Sequence, residues 1–272
     1  MTRKTLALLL LSLTTTWAAG QRIVGRSVGG IGSGGLTSES LVSPTEADNP
    51  AMMTEIEGVA VTIGGNVPYA LTDLTEMTAT AAISTKTLTA AIRASRSGGA
   101  DSHFTTFGAE ASRSFGRMAI GMGYHGIIHT LPLGERGGSS FSIVGIACRP
   151  SEGWQIGLSV RNIERRSLRY ASREIDLPTT IWGSIRWQAY RYIALCAEVE
   201  KEVGEDAVGR LGISVRPADG LFFTAGFSSL GTEMSMGAGY DWDILGVRAS
   251  VSHHAQLGVT SGAAITFHPK WP

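Results

Sequence analysis

From Met234 to Val251 the chain alternates in polarity. Met234, Met236, Ala238, Tyr240 and Trp242 interleave with Ser235, Gly237, Gly239 and Asp241; past Asp243, Leu245, Val247, Ala249 and Val251 interleave with Gly246, Arg248, Ser250 and Ser252. A side-chain period of two puts successive residues on opposite faces of a strand, so this stretch predicts two antiparallel strands around a tight turn. One face is apolar; the other is small and sparsely charged. A soluble sheet turns Lys, Glu and Thr toward water, whereas a barrel wall with lipid outside and a narrow, filled lumen inside accounts for both faces.

The same alternation recurs in Trp154, Ile156, Leu158 and Val160 against Gln155, Gly157, Ser159 and Arg161. It appears again in Met118, Ile120, Met122 and Tyr124 against Ala119, Gly121, Gly123 and His125. From Ile56 onward the pattern predicts about fourteen strands of the nine to eleven residues that a tilted transmembrane strand needs. They fall at 56–64, 77–84, 86–96, 103–114, 116–126, 139–148, 153–164, 179–188, 190–200, 207–216, 220–228, 233–242, 244–253 and 259–267. The odd-numbered connections read as long and the even-numbered ones as tight, the asymmetry of an outer-membrane barrel with both termini on the periplasmic side. The fold class that follows is all-β: a fourteen-stranded antiparallel transmembrane β-barrel with a short amino-terminal luminal segment. Trp154, Trp187, Tyr192, Tyr240, Trp242, Phe267 and Trp271 fall near strand ends, where interfacial girdles place aromatic rings.

The amino terminus divides the chain into three parts. Met1-Thr2-Arg3-Lys4, the apolar run Leu6 to Leu13 and the small residues Ala18-Ala19-Gly20 predict a signal peptide over 1–20, and hence delivery to the cell outer membrane after cleavage. Residues 21–55 form a hatch-like segment, flexible where glycine recurs between Gly29 and Gly35, with a helical turn at Pro44–Glu46 that Asn49-Pro50 ends. Residues 56–272 are the barrel.

Composition narrows the partners. The 272 residues carry 23 basic and 23 acidic side chains, so no net field recruits nucleic acid. Charged residues are 17% and glycines number 35; that low charge and high glycine suit strands curving around a filled lumen. Cys148 and Cys196 sit in separate strands and make no disulfide framework.

Charges facing hydrocarbon are costly, so Arg93, Arg161, Arg186, Arg210 and Arg248 are expected to point into the lumen, with Glu110 and Glu198 among their partners and Glu200 beside them. Two readings of this set stand side by side: ion pairs that fill the interior, and a site for an anionic or amphiphilic head group. In the hatch, Asp48, Asn49 and Pro50 are the candidate residues, with Glu46 and Asp48 acidic groups able to meet the inward arginines. His125, His129, His253 and His254 lie near Ser250 and Ser252, but no spacing enforces a nucleophile, base and orienting group, so no catalytic residue is assigned and no enzyme is expected. The histidines lack metal-ligand spacing, and Gly29–Gly35 lacks the following Lys-Ser/Thr of a phosphate loop, so neither metal nor cofactor is expected.

Ala47-Asp48-Asn49-Pro50-Ala51, after a glycine-rich run and before the first strand, resembles the amino-terminal hatch of the long-chain fatty-acid transporter superfamily. Gly153-Trp154-Gln155-Ile156-Gly157-Leu158-Ser159-Val160-Arg161-Asn162-Ile163 is similar to the PorV/PorQ branch, barrels associated with type IX secretion, and Leu257 to Phe267 resembles that branch's last strand. The resemblance implies a fourteen-stranded outer-membrane barrel whose partners are membrane lipid and either secretion components and exported proteins or a hydrophobic small molecule. Its two functional expectations are escort of exported proteins or amphiphilic ligands at the outer membrane and, alternatively, uptake of hydrophobic compounds through a fatty-acid-transporter-like channel.

Overall fold

The computed structural model describes residues 26–171 and 173–269. The expected signal peptide and Trp271 lie outside them. The strands are β1 (Val59–Val67), β2 (Glu76–Ser84), β3 (Leu88–Gly98), β4 (His103–Phe115), β5 (Met118–Thr130), β6 (Arg136–Cys148), β7 (Trp154–Arg161), β8 (Ser167–Arg169), β9 (Glu174–Asp176), β10 (Thr180–Tyr190), β11 (Ile193–Glu202), β12 (Val208–Val215), β13 (Leu221–Ser228), β14 (Glu233–Asp241), β15 (Leu245–His254) and β16 (Gly258–Phe267). Of these sixteen, fourteen close a ring of antiparallel neighbours, and β8 and β9 form a small hairpin on the connection between β7 and β10. The ring shuts where β1 pairs with β16, Val61 opposite Phe267 and Val67 opposite Ser261. Closure leaves the ring without the unpaired edge that an open sheet would carry into lipid. No helix among the described residues is long and apolar enough to cross a membrane; the strands make the wall.

The phase read from the sequence holds around the ring. Leu158 is 46% exposed on the outside while the next residue, Ser159, is 1% exposed inside. Met122, Leu211, Met236 and Ile265 share the outer face, and Thr62, Ser112, Thr224 and Ser252 the inner one. The outer residues are apolar because they meet hydrocarbon; the inner ones are small and polar because the lumen is filled by other parts of the chain.

The structure departs from expectation at the ends of the strands. β4, β5 and β6 run to 13 residues each, longer than the membrane requires, because backbone pairing continues past the lipid band at no cost in unmet hydrogen bonds. The connections shrink accordingly, and strict alternation of long and short is lost: 255–257 joins β15 to β16, while 149–153 joins β6 to β7 on the opposite end. The longest connection between neighbouring wall strands is 162–179, and 68–75 is next in length. The β8–β9 hairpin of 162–179 pairs with the overhang of β6 at Gly138 and Arg169, and Leu168, Tyr170 and Leu177 bury themselves against Ile127 and Phe141 at the mouth. The aromatic residues singled out by sequence gather toward the other end, where Trp154 stacks on Trp187 at 5.3 Å and Tyr240 packs on Trp242 at 4.7 Å.

Two local readings of the amino-terminal segment also change. The glycine run is no flexible linker: Val28–Gly32 is a short helix, α1, whose first turn is capped by the Ser27 hydroxyl accepting from the Gly30 N–H at 3.1 Å. Asn49-Pro50 does not end the helical turn but starts another, a 3-10 helix over Pro50–Glu55, because proline at a first helical position gives up an N–H that has no partner there anyway.

Candidate functional site

The lumen is occupied by the amino-terminal segment, which enters β1 from the end where the connections between strands are short. α1 lies against β13–β16 and β1. Backbone bonds from Asp48 N–H to Thr37 O (2.8 Å) and from Asn49 N–H to Ser38 O (3.3 Å) fold the segment back on itself. The following 3-10 helix rests on β4, β5 and β6. Met53 and Ile56 then join Ala60, Ala82 and Ala91 in an apolar cluster just before the chain becomes wall. Asn49, wholly buried, accepts from Ala51 N–H at 3.0 Å and donates to Ile146 O of β6 at 3.2 Å. Gly145 and Gly121 lie beneath Asn49 and Pro50, and a Cβ on either would run into that turn.

Most charge pairs between segment and wall set an acidic group of the segment on a basic group of the strands; Arg26 on Glu233 is the reverse. Asp48 meets Arg93 at 3.0 Å, and Arg93 reaches Glu110 at 3.3 Å, which in turn is 3.1 Å from His125 Nε2. Glu46 meets Arg248 at 2.6 Å. Arg186 is shared by Glu39 at 3.1 Å and Glu55 at 2.8 Å. Glu198 works differently: it accepts from the backbone N–H groups of Thr37 (3.0 Å) and Ser38 (2.8 Å) and from Arg210 at 3.2 Å. Arg210 also reaches Glu200 at 2.9 Å. Arg161 has no carboxylate partner among the described residues; its guanidinium lies 4.6 Å over the ring of Trp182. Glu39, on the segment rather than the wall, is held up at about 7 by burial, against the opposing pull of Arg186.

The structure therefore brings Arg93, Glu110, Arg186, Glu198, Arg210, Arg248 and Asp48 into ionic contact, each directly or through one neighbour with the amino-terminal segment, and sets Arg161 apart. Sequence reasoning did not single out Glu39 and Glu55 of the segment, nor Arg26, whose guanidinium meets Glu233 at 2.9 Å. Glu76, which accepts from the Arg26 N–H at 2.8 Å, was also missed. Glu76 and Glu233 begin their strands on the inward phase; the expected span 233–242 already held Glu233, and one step added to 77–84 would have found Glu76. The remaining three lie where no strand period applies.

Two recesses flank β11 and β12. One, of about 230 Å³, lies inside, between segment and wall at the short-turn end. The other, of about 510 Å³, opens on the lipid-facing side among Trp154, Trp187, Leu211 and Phe227. No cluster of His, Cys, Asp and Glu suited to a metal occurs among the described residues.

No family model matches the chain, and no curated protein does. Solved structures do. The TodX monoaromatic hydrocarbon channel, in a mutant named deltaS2, superposes with a TM-score of 0.66 at 8% identity, over 90% of this chain and 99% of that one. The Pseudomonas putida toluene transporter TodX gives 0.62 at 8% identity, over 92% and 99%. A Pseudomonas aeruginosa FadL homologue gives 0.62 at 12% identity, over 89% and 98%. The chain has the fold of a FadL-type outer-membrane barrel. The first two of these neighbours are named as a channel and a transporter. In bacterial outer-membrane barrels of this fold the end with short turns is the periplasmic one.

Proposed function

We propose that this barrel takes up hydrophobic or amphiphilic small molecules across the outer membrane, with residues 21–55 as the hatch that closes the lumen and 1–20 as the cleaved export signal. The observation that carries the reading is the likeness, over nearly the whole chain, to a structure named as a monoaromatic hydrocarbon channel. The end away from the short turns agrees with it, since the buried cluster of Ile127, Phe141, Leu168, Tyr170 and Leu177 packs the 162–179 connection over it instead of leaving a wide water-filled mouth. Cargo of this kind gains by leaving water for an apolar surface. Under this reading the inward arginines hold the hatch, and Arg161, stacked on Trp182, is the one free to meet an anionic head group.

Escort of exported proteins, the other reading of the resemblance, rests on short motifs and asks for a broad outer surface; among the described connections on that end, 162–179 is long, 68–75 has eight residues, and the rest are short. The test is flux into proteoliposomes. Labelled toluene should enter liposomes holding the barrel faster than empty ones, while a sugar should not. Equal toluene entry with and without the barrel would overturn the proposal, and co-isolation of the barrel with exported proteins would favour escort.

A further inference from the structure

The cleft of about 510 Å³ on the lipid-facing side is cut into the wall across β10 to β13, with Trp154 of β7 at one rim. Register explains its shape. In one row of outward side chains Ala197 stands between Ile185 and Leu211, and in the next row Ala225 stands between Ile213 and Met236. Each alanine is short where its neighbours are long, so the floor lies low between raised rims. None of the described residues lining the cleft carries a charge. Its level in the membrane is marked as well: Trp187, on the lining, stacks on Trp154 at 5.3 Å, and rings of this kind settle where hydrocarbon gives way to headgroups. Four positions after Trp187, Arg191 stands exposed in the short turn between β10 and β11. Its guanidinium lies 5.2 Å over the Tyr192 ring and meets no carboxylate among the described residues.

We propose that one acyl chain of a periplasmic-leaflet phospholipid lies in this cleft, with the phosphate of the same lipid on Arg191. Size agrees: at the ~30 Å³ that a water takes in the liquid, with a methylene much the same, the cleft takes about seventeen carbon atoms, the length of one membrane acyl chain. Charge agrees as well, because a phosphate accepts the planar pair of donors that Arg191 offers at headgroup level. A second copy of the barrel fits less well. Its wall is convex and would touch the rims while leaving the floor empty, whereas a flexible chain reaches the floor and makes contact on three sides. The glycolipid of the other leaflet is set aside by depth, since the Trp154–Trp187 pair lies at the short-turn end. The site is on the outer face of the wall and does not depend on the uptake proposed above.

The test is native mass spectrometry of the full-length barrel released from detergent micelles, with palmitoyl-oleoyl phosphatidylglycerol added in steps as the probe. One phospholipid should stay bound at collision energies that strip the others. Ala197→Leu combined with Ala225→Leu, which raises the floor, should remove that lipid, while Ala238→Leu, at an outward alanine of β14 away from the cleft, should keep it. Arg191→Gln should weaken its retention about tenfold, the worth of a charge-assisted contact. Heat-modifiable migration shows first that each variant forms a closed barrel; if the double variant does not, Arg191→Gln, in an exposed turn, decides the matter by itself. A ladder of bound lipids with no favoured first one, a filled variant that retains the lipid as the parent barrel does, or an Arg191→Gln variant of unchanged affinity overturns the site. A two-barrel species that filling the cleft dissolves overturns it too, and makes a second copy the occupant.

Discussion

Glu46 of the hatch and Arg248 of β15 lie 2.6 Å apart, their side chains 4% and 3% exposed, across 202 positions of sequence. The same carboxylate accepts from the Gly29 N–H at 3.2 Å, so it fastens α1 and the wall at once. Removing one partner of such a pair leaves the other charge buried and unpaired, at a cost of about 3–5 kcal/mol. Glu46→Ala should therefore release the hatch while the wall, held by its own ladders, stays closed. Single-channel conductance in planar bilayers should rise. Arg248→Met added to Glu46→Ala should restore part of the closure, since no orphan charge then remains.

A second prediction concerns backbone contact. Gly34, at φ +79°, packs its main chain against β12 and β13, and a Cβ on Gly226 of β13 would clash with the Gly34 nitrogen. Gly226→Val should push the hatch turn off the wall and raise conductance, whereas Ala225→Val, one residue along and facing lipid, should not. Equal conductance of the two variants would mean that this contact does not hold the hatch.

The phase of the wall is tested between neighbours. Leu158→Arg puts a charge in lipid, at roughly 2–4 kcal/mol near mid-depth, while Ser159→Arg keeps its charge in the lumen against the hatch. Insertion, read as the fraction of heat-modifiable protein in the outer-membrane fraction, should fall far more for Leu158→Arg.

Docking of the hatch should also depend on pH. Glu39 stands at about 7 when docked, above the ordinary range of about 4.3 for a glutamate in water. The docked form thus binds a proton more readily than the free form. The contribution is full below the free value and is lost as pH rises through about 7. Hatch protection, read by limited proteolysis of 26–55, should weaken between pH 6 and pH 8. Glu39→Gln, which cannot titrate, should flatten that dependence.

The number and phase of the strands were legible in the sequence because both follow from a local rule. Alternate side chains meet lipid and lumen, and that two-residue contrast is written into Trp154–Arg161 or Met118–His125 without reference to any distant residue. The ends were less legible: pairing in β4, β5 and β6 continues where no lipid demands apolar residues, so no contrast marks where they stop.

Polarity told which residues face inward, but not what each one meets. Period two gives a face and says nothing of depth or position around the ring. Those are fixed when β1 pairs with β16 and the lumen takes its shape, bringing Arg186 to Glu39 across 147 positions and Arg93 to Asp48 across 45. Arg161 carries the same inward signal and ends on Trp182 instead, because the hatch presents no carboxylate within ion-pair distance of it. The sequence by itself determined a fourteen-stranded wall with a greasy outside and a polar inside; only tertiary structure decided which inward charges lock the hatch, since that choice depends on a path through the lumen that no local period encodes.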